Sequence, residues 1–190
     1  RGAAQAGCWI DTGEGGLAPY HLEGNPDVIM QIGTAKYGIR DPDGAFSAPA
    51  VRSLSRGAQV AGCWLDTGEG GLSPYHLEGG CDIIMQIGTA KYGIRDKDGN
   101  FSPERAKEIA KVVKAFEIKL SQGAKPGKGG VLPGGKVTSE IASIRGIPQG
   151  QDSISPNRHR DAANVGELLD QVHYIRSLTG RPVGIKTAIG

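Results

Sequence analysis

Two stretches of this chain gather side chains that could do chemistry. Glu69 stands among the glycines of Asp66-Thr67-Gly68-Glu69-Gly70-Gly71, directly after an apolar run. A carboxylate there could hold an ammonium or imine group, or take part in proton transfer. The second stretch collects Lys119, Lys125 and Lys128 around Gln122, so that several hydrogen-bond donors converge on one strand end. Such donors suit a flavin, whose ring offers N1 and O2 as acceptors, or a dicarboxylate. The stretch is not a Walker A loop: Gly123 to Gly127 is one residue too short, and Lys128 is followed by Gly129 where Ser or Thr is required. A G-x-G-x-x-G fingerprint is also missing from both stretches. Taken singly, the plainer readings come first, a turn acid bonded to neighbouring backbone N–H groups for Glu69 and a solvated basic loop for the lysines. His76, His159 and His173 show no metal spacing and read as core or surface histidines. Cys8, Cys63 and Cys81 lack C-x-x-C spacing, which points to reduced, small core residues and to neither zinc nor a disulfide framework.

The elements that must position these groups alternate. Ala50 to Gly62 reads as a helix with Val51, Leu54, Ala58 and Ala61 at helical spacing, followed by a short buried strand at Cys63-Trp64-Leu65. Asp82 to Ala90 suits helix or strand, and Tyr92-Gly93-Ile94 is a candidate short strand before the turn Asp96-Lys97-Asp98-Gly99. A helix begins at the cap Ser102 with Pro103 in its first turn and should end near Ala115. Strands are expected at Phe116–Leu120, Asp152–Ser155 and Pro182–Lys186, and helices at Ser139–Arg145 and Val165–Thr179. Strand, polar loop and helix in repetition call for an α/β fold with parallel strands and right-handed crossovers. Doubly wound sheets and (β/α)8 barrels both place active sites at the C-terminal ends of such strands, and the pattern alone allows either.

Glycine, 31 of 190 residues, is roughly twice its usual share of about 7% and clusters at the ends of apolar runs, as binding loops on a scaffold would require. The formal net charge of +2, with Lys and Arg scattered among Asp and Glu, lacks the footprint of a nucleic-acid binder. No apolar run approaches the roughly 20 residues of a membrane span and the start shows no signal-peptide pattern, so the expected setting is the cytoplasm, without membrane or nucleic-acid partners. Arg1–Ser47 aligns without a gap to Arg56–Ser102 with nine mismatches. Residues 1–47 therefore read as a redundant copy of 56–102, and 48–190 as the partial domain proper. Only about 135 residues are unique, against roughly 250 for a complete (β/α)8 barrel, and the chain opens without Met, so an incomplete piece of a larger barrel is expected.

Together, Asp66-Thr67-Gly68-Glu69-Gly70-Gly71, the run Glu117-Ile118-Lys119-Leu120-Ser121-Gln122-Gly123-Ala124-Lys125-Pro126-Gly127, Leu132-Pro133 with Lys136-Val137, and Ile154-Ser155-Pro156 resemble the FMN-binding synthase domain of glutamate synthase. Leu72 to Gly79 is similar to a stretch in the stand-alone bacterial proteins of that family. The resemblance implies a partial (β/α)8 barrel with FMN at its strand ends and hydride delivery to 2-iminoglutarate, made from 2-oxoglutarate and ammonia, giving glutamate. By matching motif positions it implies that Glu69, Lys125 and Arg145 hold the substrate, with Glu69 and Lys125 catalytic, and that Lys119, Gln122 and Lys186 face the flavin. It also implies an electron donor such as ferredoxin or a reductase subunit. Any iron–sulfur cysteines would lie beyond Gly190. Two positions depart from the family pattern, Asp66 in place of Asn and Val131 in place of Gln. They leave room for a related FMN oxidoreductase acting on another amino or N-methylated amino acid. A non-catalytic fragment of such an enzyme is the third reading.

Overall fold

The computed structural model describes residues 5, 10–11, 23–25, 28–29, 48–120 and 129–188. The chain divides into two compact units, Arg1–Gly68 with Ser73–Ile83, and Glu69–Leu72 with Ile84–Gly190.

In the first unit, β1 (Ile10–Asp11) and β2 (Val28–Ile29) pair in parallel. Helix α1 (Ala48–Ala61) buries Val51 and Ala58, as its spacing predicts, and also the hydroxyl residue Ser55. Ser55 Oγ donates to the His76 carbonyl at 2.7 Å and accepts from the Gly79 N–H at 2.8 Å. The helix can come this close only because Gly79 has no side chain: a Cβ there would sit 2.2 Å from the Ser55 carbonyl carbon. Strand β3 is Leu65–Asp66, displaced from the expected 63–65 because Cys63 instead accepts the helix-end turn, its N–H donating to the Ala58 carbonyl. The short helix α2 (Pro74–Leu77) is capped by Ser73. His76 is buried, and its Nδ1 lies 3.0 Å from the Ser73 N–H and 2.7 Å from Ser73 Oγ. Accepting from a backbone N–H requires a lone pair on Nδ1, and burial agrees by driving the imidazole pKa down to about 4. His76 is a neutral core histidine.

The second unit carries the parallel sheet. Strands β4 (Ile83–Ile87), β5 (Ala115–Lys119) and β8 (Val183–Lys186) run side by side, with Ile84 opposite Ala115, Phe116 opposite Val183 and Lys119 opposite Lys186. Side chains alternate across β5. Phe116 and Ile118 are each 1% exposed in the apolar core, while Glu117 and Lys119 project from the other face. Helix α3 (Pro103–Ala110) starts where Ser102 Oγ accepts the Arg105 N–H, but it stops short of Ala115, because Ala115 is already the first residue of β5. Helices α4 (Ser139–Arg145) and α5 (Val165–Thr179) match their expected bounds, each framed by a capping side chain, Thr138 or Asn164, and a left-handed glycine, Gly146 or Gly180. Phe101 meets Tyr174 edge to face at 6.1 Å, and α3 and α5 pack together.

Two further expectations are corrected. Tyr92-Gly93-Ile94 is not a strand: Lys91 and Gly93 both adopt positive φ, 52° and 77°, which turns the chain out of extended geometry. Nor do all strands run parallel. β6 (Val131–Leu132) and β7 (Ser153–Ile154) form a two-residue antiparallel pair, and Val131 and Ile154 are about two-thirds exposed, so this pair is a surface clasp and not a core strand. What remains is α/β architecture, a parallel sheet alternating with helices, which accommodates one sector of a (β/α)8 barrel. Among the described residues no helix is long and apolar enough to cross a membrane.

Candidate functional site

The site begins at the end of β5. Lys119 is buried, and its ammonium Nζ lies 3.1 Å from Oε2 of Glu69, whose side chain is 24% exposed. The Asp66–Gly71 turn delivers Glu69. Asp66 Oδ1 accepts the Gly68 N–H at 2.6 Å, and Gly68 and Gly71 take positive φ. Asn would make the same turn, so the departure at Asp66 leaves the loop's construction intact. Two glycines shape the slot around the carboxylate. A Cβ on Gly88 would come within 2.8 Å of Glu69 Cβ, and one on Gly130 within 3.6 Å of Oε1. Lys186 stands beside Lys119 on the neighbouring strand, and the Leu120 N–H donates to the Lys186 carbonyl at 2.9 Å.

Arg145 is the last residue of α4. Its carbonyl accepts the Gly93 N–H at 3.0 Å, its guanidinium carbon lies 4.8 Å over the Tyr92 ring, and Nη1 donates to Ser153 Oγ at 3.3 Å. Burial lowers the guanidinium pKa, while Tyr92 and the Glu69 carboxylate pull it upward. Arginine nevertheless stays charged. Glu69, Lys119 and Arg145 thus belong to one electrostatic neighbourhood.

A loop after β7 is fastened to the ends of β4 and β5. Thr89 Oγ1 donates to the Pro156 carbonyl at 2.6 Å, and Lys91 Nζ pairs with Asp161 Oδ1 at 2.9 Å. Buried His159 donates from Nε2 to the carbonyl of Lys119 at 2.9 Å. Burial, followed by the positive charge of Lys91, holds the imidazole pKa below its usual value against the pull of that hydrogen bond, so the ring is neutral. Burial alone would raise the Asp161 pKa, but the Lys91 ammonium outweighs it and the carboxyl lies below the ordinary range. On the sheet face, Gln86 Nε2 donates to Glu117 Oε1 at 2.8 Å.

Of the residues singled out by sequence, the structure brings together Glu69, Lys119 and Arg145 and sets Lys186 beside Lys119. Gln122 and Lys125 lie outside the described residues. Val131 is on the exposed clasp, opposite Ile154. His173 is exposed, and Cys63 and Cys81 are free thiols, with burial raising the Cys81 pKa. No group of three or more metal-ligating side chains occurs among the described residues. Nothing in the sequence marks Lys91, Tyr92 or Asp161 as members of the site. Tyr92 meets Ser153 across 61 residues of chain, and Lys91 meets Asp161 across 70, so no local pattern announces either.

A family profile described as a conserved region in glutamate synthase matches residues 1–43 and again 42–190. The chain is 46% identical over 150 residues to the glutamate synthase large subunit-like protein YerD of Bacillus subtilis, covering 77% of this chain and 28% of that protein. It is 37% identical over 147 residues to the archaeal-type glutamate synthase [NADPH] of Thermotoga sp. (strain RQ2), covering 76% and 27%. The same identity and shares hold for the archaeal glutamate synthase [NADPH] of Methanocaldococcus jannaschii. The chain therefore spans less than a third of the length of these curated relatives.

Proposed function

Because this chain belongs to the glutamate synthase family, we propose that it carries the substrate-facing part of an FMN-dependent enzyme that reductively aminates 2-oxoglutarate, through 2-iminoglutarate, to glutamate. The observation that carries this reading is the Glu69–Lys119 ion pair at the C-terminal end of β5, within the field of Arg145. Open sheet ends of this kind are where parallel α/β folds bind ligands.

The residues present fit a flavin. Two lysines, Lys119 and Lys186, stand in register at adjacent strand ends, as donors to the acceptor edge of the ring would. Gln122 joins them by motif. Bound FMN would supply the hydride. The rest falls to the chain's own side chains. Arg145 offers planar donors suited to a carboxylate, and Lys125 adds a point charge on the motif loop. Glu69, walled by Gly88 and Gly130 and linked to Lys119, can hold the substrate nitrogen and a proton near the reacting carbon. The names of the archaeal-type relatives support NADPH as the source of electrons, reaching the site through a donor such as ferredoxin or a reductase subunit. Residues 1–47 are proposed to be a redundant copy of 56–102 with no share in the chemistry.

The test is to purify the protein product carrying these residues and record its absorption spectrum and its turnover with 2-oxoglutarate and ammonia. A yellow protein that releases FMN on heating and forms glutamate under reducing conditions is expected. A colourless product that cannot be reconstituted with FMN removes the flavin reading. A flavoprotein that reduces N-methylated amino-acid imines but not 2-iminoglutarate replaces the substrate.

A further inference from the structure

Tyr92 has no part in the chemistry just proposed, yet the groups around it converge on Arg145. The phenol is 3% exposed, and the next core residue, Ile94, is fully buried. Its ring lies under the Arg145 guanidinium at 4.8 Å. Its oxygen receives the Ser153 hydroxyl at 2.6 Å and, more distantly, the Ser155 hydroxyl at 3.5 Å. Ser153 Oγ in turn accepts from Arg145 Nη1 at 3.3 Å. The adjacent residue, Gly93, donates its N–H to the Arg145 carbonyl at 3.0 Å. One dipeptide therefore grips both the backbone and the head group of the arginine.

A hydroxyl that donates to Tyr92 must turn its lone pairs elsewhere, and the structure turns one of them to Arg145. The phenol oxygen thus orients the acceptor that orients the guanidinium. An arginine preset in this way spends no freedom on binding, whereas a mobile one is ordered at the expense of affinity. We infer that Tyr92, acting through Ser153, is a positioning residue that presets Arg145 for the carboxylate of the substrate. The inference rests on the proposed glutamate synthase-type reading.

The experiment titrates 2-oxoglutarate into the flavin-loaded protein carrying these residues, by calorimetry and by steady-state kinetics, for the wild type, Tyr92→Phe, Ser153→Ala, the double variant and Arg145→Ala. Tyr92→Phe keeps the ring and the packing and removes only the oxygen. It should weaken 2-oxoglutarate binding about threefold to tenfold, the range of one net hydrogen bond. KM should rise with kcat and flavin affinity retained. Ser153→Ala should do the same, and the double variant should be no worse than either single one, since both cut one chain of contacts. A Tyr92→Phe protein that binds like the wild type, or that loses kcat with KM unchanged, overturns the inference, as does additivity in the double variant. If Tyr92→Phe does not fold, Ser153→Ala decides alone by the same KM criterion. Wild-type protein that does not bind 2-oxoglutarate, or Arg145→Ala that binds it undiminished, overturns the glutamate synthase-type site and this inference with it; a weakened Arg145→Ala beside an unaffected Tyr92→Phe overturns the inference alone.

Discussion

Both units bury polar side chains behind glycines, but they bury different kinds. In the first, Ser55, His76 and Gly79 form a neutral cluster: hydroxyl to carbonyl, N–H to hydroxyl, and a His held uncharged by its surroundings. In the second, Lys119, Glu69 and Arg145 bring formal charges out of water. A neutral cluster whose bonds are all made is a way of packing two segments tightly. Charges held half out of water are costly to a fold, and they concentrate where ligands bind. Glycine serves each cluster differently. Gly79 admits a helix, and Gly88 and Gly130 leave room for a carboxylate.

The sharpest test of that contrast is Gly79→Ala. The added Cβ meets the Ser55 backbone, which cannot yield as a flexible side chain can, so a loss of about 3 kcal/mol is expected. Denaturant unfolding reads it, and any rate loss should follow only the unfolded fraction. A variant as stable as the wild type would break the comparison on its structural side.

The His76 effect is of similar size and depends on pH. Its folded pKa is about 4, below the ordinary His value of about 6.5, so the unfolded chain binds the proton more readily. The stabilisation is complete above pH of about 6.5 and is lost as pH falls toward 4, by roughly 3 kcal/mol in all. Urea midpoints measured across that window should show the slope, and a flat profile would mean that His76 is not buried neutral.

In the charged cluster the same size of change should strike turnover. Glu69→Gln leaves the Lys119 ammonium without its carboxylate and should lower kcat. With Lys125 in its proposed role of holding a substrate carboxylate, Lys125→Ala should lower kcat/KM roughly tenfold to a hundredfold, the size of a charge-assisted contact of about 1.5 to 3 kcal/mol. Steady-state kinetics unchanged in both would dissolve the site. Smallest of all is Val131→Gln on the exposed clasp. Its stability effect should stay within about 0.5 kcal/mol. A gain in preference for 2-oxoglutarate and ammonia over other substrates would make position 131 a specificity determinant, and an unaltered preference would leave it to the clasp.

Much of the second unit was legible because its signals are local. Thr138, Asn164, Gly146 and Gly180 frame α4 and α5, and those helices have the bounds their caps announce. Glu69 stands out among its glycines and Lys119 by its place in a lysine-rich stretch at a strand end, and they meet. Where sequence and structure differ, the deciding feature is distant in the chain or unusual for the residue. Lys91 takes a positive φ that its type does not advertise, which cost the strand at Tyr92–Ile94. The antiparallel clasp depends on Val131 meeting Ile154 across helix α4, and alternation of elements says nothing about such a return. His159 reads as core histidine or surface residue from sequence. Only the fold supplies the Lys119 carbonyl to which it binds.

That last contact bears on how this part of the molecule comes apart. Thr89 and Lys91 follow β4, Lys119 ends β5, and all three are fastened to one short loop through Pro156, Asp161 and His159. The tips of two strands and the loop should therefore loosen as a single cooperative element. In deuterium exchange the Leu120 amide, bonded to the Lys186 carbonyl, should keep its proton about as long as the amides in the middle of β5, with none of the fraying usual at a strand's end.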